Sequence, residues 1–233
     1  MSLRSNHPTV TGPPTVAWCT EGERFLDEAL DRLPGVDPDG PSLLPGWSRR
    51  TVIAHVARNA DALGNLLTWA RTGVETPMYA SAEARDHAIT TTAQLPLASL
   101  VEDCRSASRR FAAAVNGLPG PAWDVEVRTA QGRTVPAVQA VWMRCREVWV
   151  HAVDLDTGKS FGAIPDHVLV ALIDDVTAMW ARRDQTPDAR FSAGDRHWGT
   201  GKAVVTADLA DLARYVTGRR IAAGDRPTLP PWL

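Results

Sequence analysis

The chain has 233 residues, of which 44% are hydrophobic and 22% charged, so it is long enough for a buried core of one large domain or a bundle with a small addition. Its formal net charge of -2 gives no long-range attraction for nucleic acid or anionic lipid, so neither a nucleic-acid nor a membrane partner is expected. No apolar run has membrane-spanning length and no signal-peptide pattern occurs, which predicts a cytoplasmic protein with a small-molecule ligand.

The first half of the chain predicts long amphipathic helices after a tail at residues 1–14 that we expect to be disordered. Apolar side chains recur every three or four residues from Thr15 to Leu33, as on one face of a helix. Ser48 is placed to cap a second helix that runs to Thr72. A long, partly irregular segment containing ETPMYASAEAR follows, and a third helix is predicted from Leu97 to Asn116.

The second half begins with a short extended stretch at Asp124–Thr134 that turns at Gln131-Gly132. Pro136 is then expected to open a fourth helix that reaches Thr157. Four helices joined by loops, some of them long, predict a four-helix bundle at residues 15–160.

The pattern of predicted secondary structure changes after residue 160. A helix at Asp166–Arg183, a β-like stretch (ARFSAGDRHWGTGKAVVTA) and a helix at Asp208–Thr217 predict a small α+β domain at residues 161–233. The predicted fold class is therefore mostly α, a four-helix bundle with a small α+β C-terminal domain.

The fourth predicted helix carries a charged stripe on an otherwise apolar surface. Arg144, Glu147, His151 and Asp154 follow one another at intervals of three or four residues, so they share one face. A helix that is apolar nearly all round is normally buried, and a charged stripe on it is not a simple solvated face. Glu147 and His151, four residues apart, are spaced to offer a carboxylate oxygen and an imidazole nitrogen to one metal ion.

His55 supplies a third candidate ligand, because it lies on the apolar face of the second predicted helix. Two histidines and one glutamate leave a coordination position open, as in catalytic zinc sites. Each signal alone has a simpler interpretation: an isolated histidine on an apolar face is often a hydrogen-bonded core residue, and Glu147 with His151 can be a surface pair. Their combination on two buried helices favours the metal site at His55, Glu147 and His151.

The other catalytic motifs that we sought do not occur. The chain has no HExxH, GxSxG, Walker-type or GxGxxG motif. Its three cysteines, Cys19, Cys104 and Cys145, form no CxxC pair, which fits a reducing compartment and small core residues.

Four segments resemble the mycothiol-dependent maleylpyruvate isomerases, a family with a DinB-like four-helix bundle. They are LLPGWSRRTVIAHVARNA around His55, TGVETPMYASAEAR ending at Arg85, TAQGRTVPAVQAVWMRCREVWVHAVDL around Glu147 and His151, and ARYVTGR ending at Arg219. The middle of the C-terminal part, about 160–205, matches the family poorly.

The resemblance implies zinc on His55, Glu147 and His151, and an essential arginine at Arg219. It also implies isomerisation of 3-maleylpyruvate to 3-fumarylpyruvate in gentisate catabolism, with a low-molecular-weight thiol as cofactor. Mycothiol is the thiol that the family implies, and ergothioneine is the alternative, since no motif reads the thiol.

The chemistry of such a reaction is consistent with these residues. A double bond conjugated to carbonyls rotates once a thiolate has added reversibly, and a metal ion can deprotonate a bound thiol. Because no cysteine belongs to the constellation, the thiol must be borrowed. Arg85 and Arg219 are the candidates to bind the dicarboxylate substrate, and Asp154 is expected to hold a ligand histidine, to contact metal-bound water or thiol, or to pair with an arginine.

Two alternatives remain at this point. A zinc-dependent thiol S-transferase or detoxifying enzyme on the same scaffold would consume the thiol. A metal-sensing or regulatory module would show little catalysis, although the chain has no basic surface or DNA-reading motif.

Overall fold

The computed structural model describes residues 13–219 and 226–232, so most of the predicted tail at 1–14 lies outside the described residues. The described part contains seven α-helices and five short strands. In chain order they are α1 (Pro14–Leu30), α2 (Arg49–Thr72), α3 (Ala82–Ala93), α4 (Leu97–Asn116), β1 (Glu126–Arg128), β2 (Thr134–Pro136), α5 (Val138–Asp154), α6 (Asp166–Arg182), β3 (Ala189–Ala193), β4 (Arg196–Trp198), β5 (Ala203–Thr206) and α7 (Leu209–Val216).

Four of these helices form the bundle that the sequence predicts. α1 packs along α5, while α2 packs against both α4 and α5. The apolar faces of the helices meet in one core, in which Leu26, Leu66 and Leu100 are almost fully buried. The mostly-α fold with a small α+β part is therefore confirmed.

The ends of α2 follow from local chemistry. The Ser48 side chain accepts a hydrogen bond from the Thr51 backbone N–H, which satisfies one of the free donors of the first turn. At the other end Gly73 takes a positive φ of 72°, a left-handed conformation that terminates helices at little cost for glycine. Together these residues fix a helix of 24 residues, which carries His55 near its N-terminal end.

The segment between α2 and α4, for which the sequence predicts a long, partly irregular chain, differs from that prediction. That segment contains α3, whose first turn is capped by Ser81. Only Ile89 and Thr92 of α3 are buried, so the helix has no continuous apolar face and its sequence shows no helical periodicity.

The start of α5 also differs from the prediction. Pro136 does not open the helix, because it belongs to β2 and lies opposite Glu126 in an antiparallel hairpin. The pairing continues for one more residue, with Ala137 N–H donating to Val125 O at 2.9 Å. The helix therefore begins at Val138 and ends at Asp154, before the predicted Thr157.

The C-terminal part is built around a three-stranded sheet with β3 in the centre. β4 pairs with β3 antiparallel and β5 pairs with it parallel, while α6 and α7 pack against each other. A side chain at Gly201 would overlap the backbone of Asp188 and Ala189, so the Gly199–Gly201 segment is a close-packed turn.

Arg144, the first member of the charged stripe, ties the bundle together. Its guanidinium is fully buried and pairs with Glu23 of α1 at 2.7 Å. It also donates to the Val56 carbonyl at 2.7 Å and to the Ser108 hydroxyl at 2.9 Å. A buried charge with this many partners is satisfied, so Arg144 connects four helices and takes no part in the metal site.

Among the described residues, no helix is both long and apolar enough to cross a membrane.

Candidate metal centre

Three side chains from α2 and α5 converge at one end of the bundle. His55 Nε2 lies 2.8 Å from Glu147 Oε2, and His151 Nε2 lies 3.1 Å from the same oxygen. One ligand atom from each of the three residues lies within 4.8 Å of the others. All three residues are buried, with relative exposures of 8%, 3% and 3%. The structure thus brings together the three residues for which the sequence predicts metal ligation.

The donor set fits a divalent metal ion such as zinc. Two imidazole nitrogens and a carboxylate oxygen are the ligands of open, catalytic zinc sites. His151 Nε2 faces the Glu147 carboxylate without hydrogen-bond geometry, and it has no hydrogen-bond partner among the described residues. An unpaired polar atom in such a buried position costs free energy unless something binds it, which is the situation of a metal ligand.

The metal-free ligands influence each other's protonation. Burial alone would raise the pKa of Glu147, but the neighbouring His151 and His55 side chains outweigh it and hold that pKa well below the ordinary value. Burial lowers the pKa of His55, with Glu147 opposing the shift. His151 is buried too, yet its hydrogen bond with Asp154 and the nearby Glu147 carboxylate raise its pKa to about 8. Glu147 therefore stays ionised, as a ligand must.

Asp154 lies directly behind one of the ligands. Its Oδ2 is 2.8 Å from His151 Nδ1, so it fixes the ring with Nε2 directed at Glu147. It is fully buried and does not line the adjacent cavity. Burial would raise the pKa of Asp154, but the hydrogen bond with His151 and the charge of Arg219 lower it.

Arg219 reaches this carboxylate from the end of α7. Gly218, with a φ of 80°, ends the helix in a left-handed turn and redirects the chain. The guanidinium then donates from Nε to Asp154 Oδ1 at 3.0 Å and from Nη2 to Oδ2 at 2.5 Å. A third bond runs from Nη1 to the Thr217 carbonyl at 2.6 Å. Two of the three alternatives predicted for Asp154 therefore coexist: it accepts from a candidate ligand histidine and it pairs with an arginine.

A cavity of about 460 Å³ opens above the ligands. His55 and His151 form part of its floor, and the two predicted substrate-binding arginines, Arg85 and Arg219, both line it. Arg85 lies in the first turns of α3, pairs with Asp86 at 2.7 Å and has a side chain that is one-third exposed. Thus α3, the helix that the sequence did not predict, carries one cation of the site.

The loop before α2 forms another wall of this cavity. Leu44, Pro45 and Trp47 line it. The loop is held against the end of α5, where Leu43 N–H donates to Asp154 O at 2.9 Å and Arg49 Nε donates to Leu155 O at 2.8 Å. Anchoring at both points gives the cavity a pre-formed apolar side.

Comparison with known proteins identifies the family. A family model described as mycothiol maleylpyruvate isomerase N-terminal domain matches residues 19–156, more than half of the chain. The chain belongs to the mycothiol maleylpyruvate isomerase family. No curated protein matches it in a sequence search.

Two solved structures extend the family relationship beyond the matched domain. A crystal structure of the mycothiol-dependent maleylpyruvate isomerase is 36% identical, with a TM-score of 0.89 over 94% of this chain and 95% of that chain. A histidine-to-alanine mutant of such an isomerase is 36% identical, with a TM-score of 0.86 over 94% of this chain and 98% of that one. The similarity therefore includes the C-terminal part, whose middle matches poorly by sequence inspection.

Three aromatic residues near the candidate ligands were not among the site residues that the sequence predicted. The Trp47 ring meets the His55 ring edge-on at 5.3 Å. Trp232 lines the cavity and lies 5.3 Å from the Arg219 guanidinium. Burial raises the pKa of Tyr79, with Arg85 opposing the shift and Glu147 adding to it. Trp47 and Tyr79 lie inside the segments that carry the family resemblance, and this resemblance is the sequence feature that could have indicated them.

The three cysteines lie outside the centre. Cys19, Cys104 and Cys145 are all buried and free. Burial raises the pKa of Cys19 well above its ordinary value and those of Cys104 and Cys145 to about 12. None of them supplies a thiolate near neutral pH, which agrees with the family's dependence on an external thiol.

Proposed function

We propose that this protein is a zinc- and thiol-dependent cis-trans isomerase that converts 3-maleylpyruvate to 3-fumarylpyruvate in gentisate catabolism, with mycothiol as the thiol. The observation that carries the proposal is the convergence of two histidines and a glutamate beneath a cavity that also presents two arginines. Family membership and the similarity to isomerases over 94% of the chain support it.

His55, Glu147 and His151 would hold the zinc ion. When bound there, zinc lowers the pKa of a thiol ligand, which supplies the thiolate whose reversible addition to the double bond permits rotation. Asp154 keeps the His151 ring oriented, and the ionised Glu147 supplies the negative charge that a divalent cation requires.

Arg85 and Arg219 are two cations that can bind the two carboxylates of a dianionic substrate. Three of the five N–H donors of Arg219 are engaged by Asp154 and Thr217, which leaves one N–H on each Nη for a carboxylate. Arg85, whose partner is the mostly exposed Asp86, is the second cation on the cavity wall. We assign substrate carboxylates to these two side chains, because guanidinium groups bind carboxylates in a planar, directional geometry.

Measuring the concentration of free thiol during turnover distinguishes this isomerase function from that of an S-transferase. Metal content should first be measured on purified protein, and turnover of maleylpyruvate should then be followed with mycothiol, ergothioneine and glutathione in separate reactions. An isomerase returns the thiol, so free thiol should stay constant while fumarylpyruvate accumulates. Stoichiometric loss of thiol would identify a transferase, and no turnover with any thiol would reject the proposal.

A further inference from the structure

A second and larger cavity, of about 740 Å³, lies between the β1–β2 hairpin, α5 and α6. We call it the arginine cleft, because four arginines line it: Arg133, Arg146, Arg182 and Arg183. It shares no lining residue with the cavity above the candidate metal centre. A site in the arginine cleft would therefore go beyond the function proposed above.

The positive charge of the arginine cleft is only partly balanced. Asp175 is the one carboxylate among the described lining residues, and it lies 2.6 Å from Arg146 and 3.9 Å from Arg182. Burial and the neighbouring guanidinium groups, Arg182 foremost, lower the pKa of Arg133 despite Asp175. Four cations with one anion repel one another, and a bound anion would relieve that repulsion.

Arg146 shows in addition an unused hydrogen-bond donor. Its side chain is 14% exposed, and its Nε has no hydrogen-bond partner among the described residues. Arg183 has only a long contact, 3.4 Å from Nη1 to the Pro231 carbonyl, among its described hydrogen bonds. The exposed Arg183 guanidinium can therefore donate to a ligand, whereas Arg146 Nε is itself buried and marks an unmet hydrogen bond in the wall of the cleft.

The cleft is not purely polar. Trp142, Met143, Val135 and Met179 contribute apolar surface beside the arginines. Small-molecule sites combine such apolar walls with a few convergent charged groups, and a volume of several hundred Å³ is typical of them.

We propose that the arginine cleft binds a small anionic metabolite that carries a diphosphate or clustered carboxylates next to an apolar or aromatic part. The four guanidinium groups take the anionic end, and the tryptophan and methionine surface takes the apolar end. A carboxylate and one pair of oxygens of a tetrahedral phosphate can each accept two hydrogen bonds from an arginine, so the two ligand classes are separated by experiment.

Calorimetric titration with ADP and, separately, with tricarballylate tests this site at constant ionic strength. The wild-type protein should show saturable binding of at least one probe. The double variant Arg133→Gln/Arg182→Gln should bind it at least roughly tenfold more weakly, because each charge-assisted hydrogen bond is worth more than a tenfold change in affinity. Circular dichroism should show that the variant keeps the helical content of the wild type.

Two controls locate the binding. Arg110→Gln removes an arginine of α4 that pairs with Asp61 outside the cleft, and it should leave the affinity unchanged. His55→Ala should also leave it unchanged, since His55 lines only the other cavity. No saturable binding of either probe, or equal binding by the double variant, would overturn the proposal.

Discussion

At the scale of single residues, the contact between Asp154 and His151 determines which ring nitrogen faces Glu147. Asp154 Oδ2 lies 2.8 Å from Nδ1, which leaves Nε2 for a metal ion. Asp154→Asn removes the charge of this acceptor and should weaken metal affinity about 10- to 100-fold, the usual effect of losing such a partner. Competition with a chromophoric zinc chelator measures it.

Asp156→Asn is the matched control for Asp154→Asn. Asp156 follows α5 by two residues and pairs with Arg49 at 3.2 Å, but it contacts no candidate ligand. The zinc affinity of the Asp156→Asn variant should equal that of the wild-type protein. Equal zinc affinity in the Asp154 and Asp156 variants would mean that Asp154 serves only as the partner of Arg219.

Arg219 has a double role in this account, as holder of Asp154 and as a donor to substrate. Arg219→Lys keeps the charge but loses the planar pair of bonds from Nε and Nη2. We expect kcat/KM to fall at least roughly tenfold, the value of one charge-assisted hydrogen bond. Arg214→Lys, the same change one turn earlier on α7, should have normal kinetics. Wild-type kinetics for Arg219→Lys would remove this residue from the site.

The buried thiols give a prediction about pH. The pKa values of Cys104 and Cys145 are raised to about 12, and that of Cys19 is raised as well, so all three remain protonated thiols in the folded protein. A raised folded pKa favours folding below the ordinary thiol pKa, and this contribution is lost as pH rises towards 12. Native protein at pH 8 should therefore resist a thiol-specific disulfide reagent, whereas denatured protein should react at three sites. Rapid reaction of a native thiol would contradict this assignment.

The sequence predicts which residues form the site better than it predicts which of them contact one another. The spacing of Glu147 and His151 and the apolar setting of His55 are local patterns, so three candidate ligands are visible without a structure. The bond between Arg219 and Asp154 joins residues 65 positions apart, and no local pattern encodes such a pair. Arg219 was indicated by the family resemblance and by its place just after the helix end at Gly218.

At the scale of helices, the contact between α1 and α5 requires a residue without a side chain. A Cβ at Gly22 would lie 2.6 Å from Val148 Cγ2 and 2.8 Å from Trp149 Nε1. Gly22→Ala should lower the free energy of unfolding by about 1 to 2 kcal/mol, because overpacking exceeds the gain in helix propensity. Denaturant unfolding at equilibrium measures the change.

Gly64→Ala in α2 is the control for this helix contact. A Cβ there meets nothing within 4 Å, so the same substitution should raise the free energy of unfolding by about 0.5 to 1 kcal/mol. If both alanine variants were stabilised, α1 and α5 would not be in the close contact described.

The helices that the sequence predicts well are those that bury a continuous face. α2 and α4 present apolar residues at helical spacing and carry clear start and stop signals, so their observed and predicted bounds agree. α3 buries only two side chains, and its periodicity is lost. Pro136 is a valid helix-opening signal that strand pairing with Glu126 overrides.

At the scale of the whole molecule, the C-terminal part completes a site that the bundle begins. Arg219 and Trp232 come from beyond α7, yet both line the cavity whose floor contains His55 and His151. Trp232 lies between two guanidinium groups, 5.3 Å from Arg219 and 5.7 Å from Arg146. The division at residue 160 therefore remains a prediction about folding units, since the candidate site uses both sides of it.

The central claim is that His55, Glu147 and His151 bind the metal ion on which isomerisation depends. Its most direct test is the zinc content and mycothiol-dependent maleylpyruvate turnover of His55→Ala, compared with wild type and with His167→Ala. The His167 ring lies outside the site, with its centroid 4.7 Å from that of Trp18. We expect His55→Ala to lose most zinc and turnover while keeping its helical content, and His167→Ala to retain both zinc and turnover. Full zinc content and turnover in His55→Ala would contradict it.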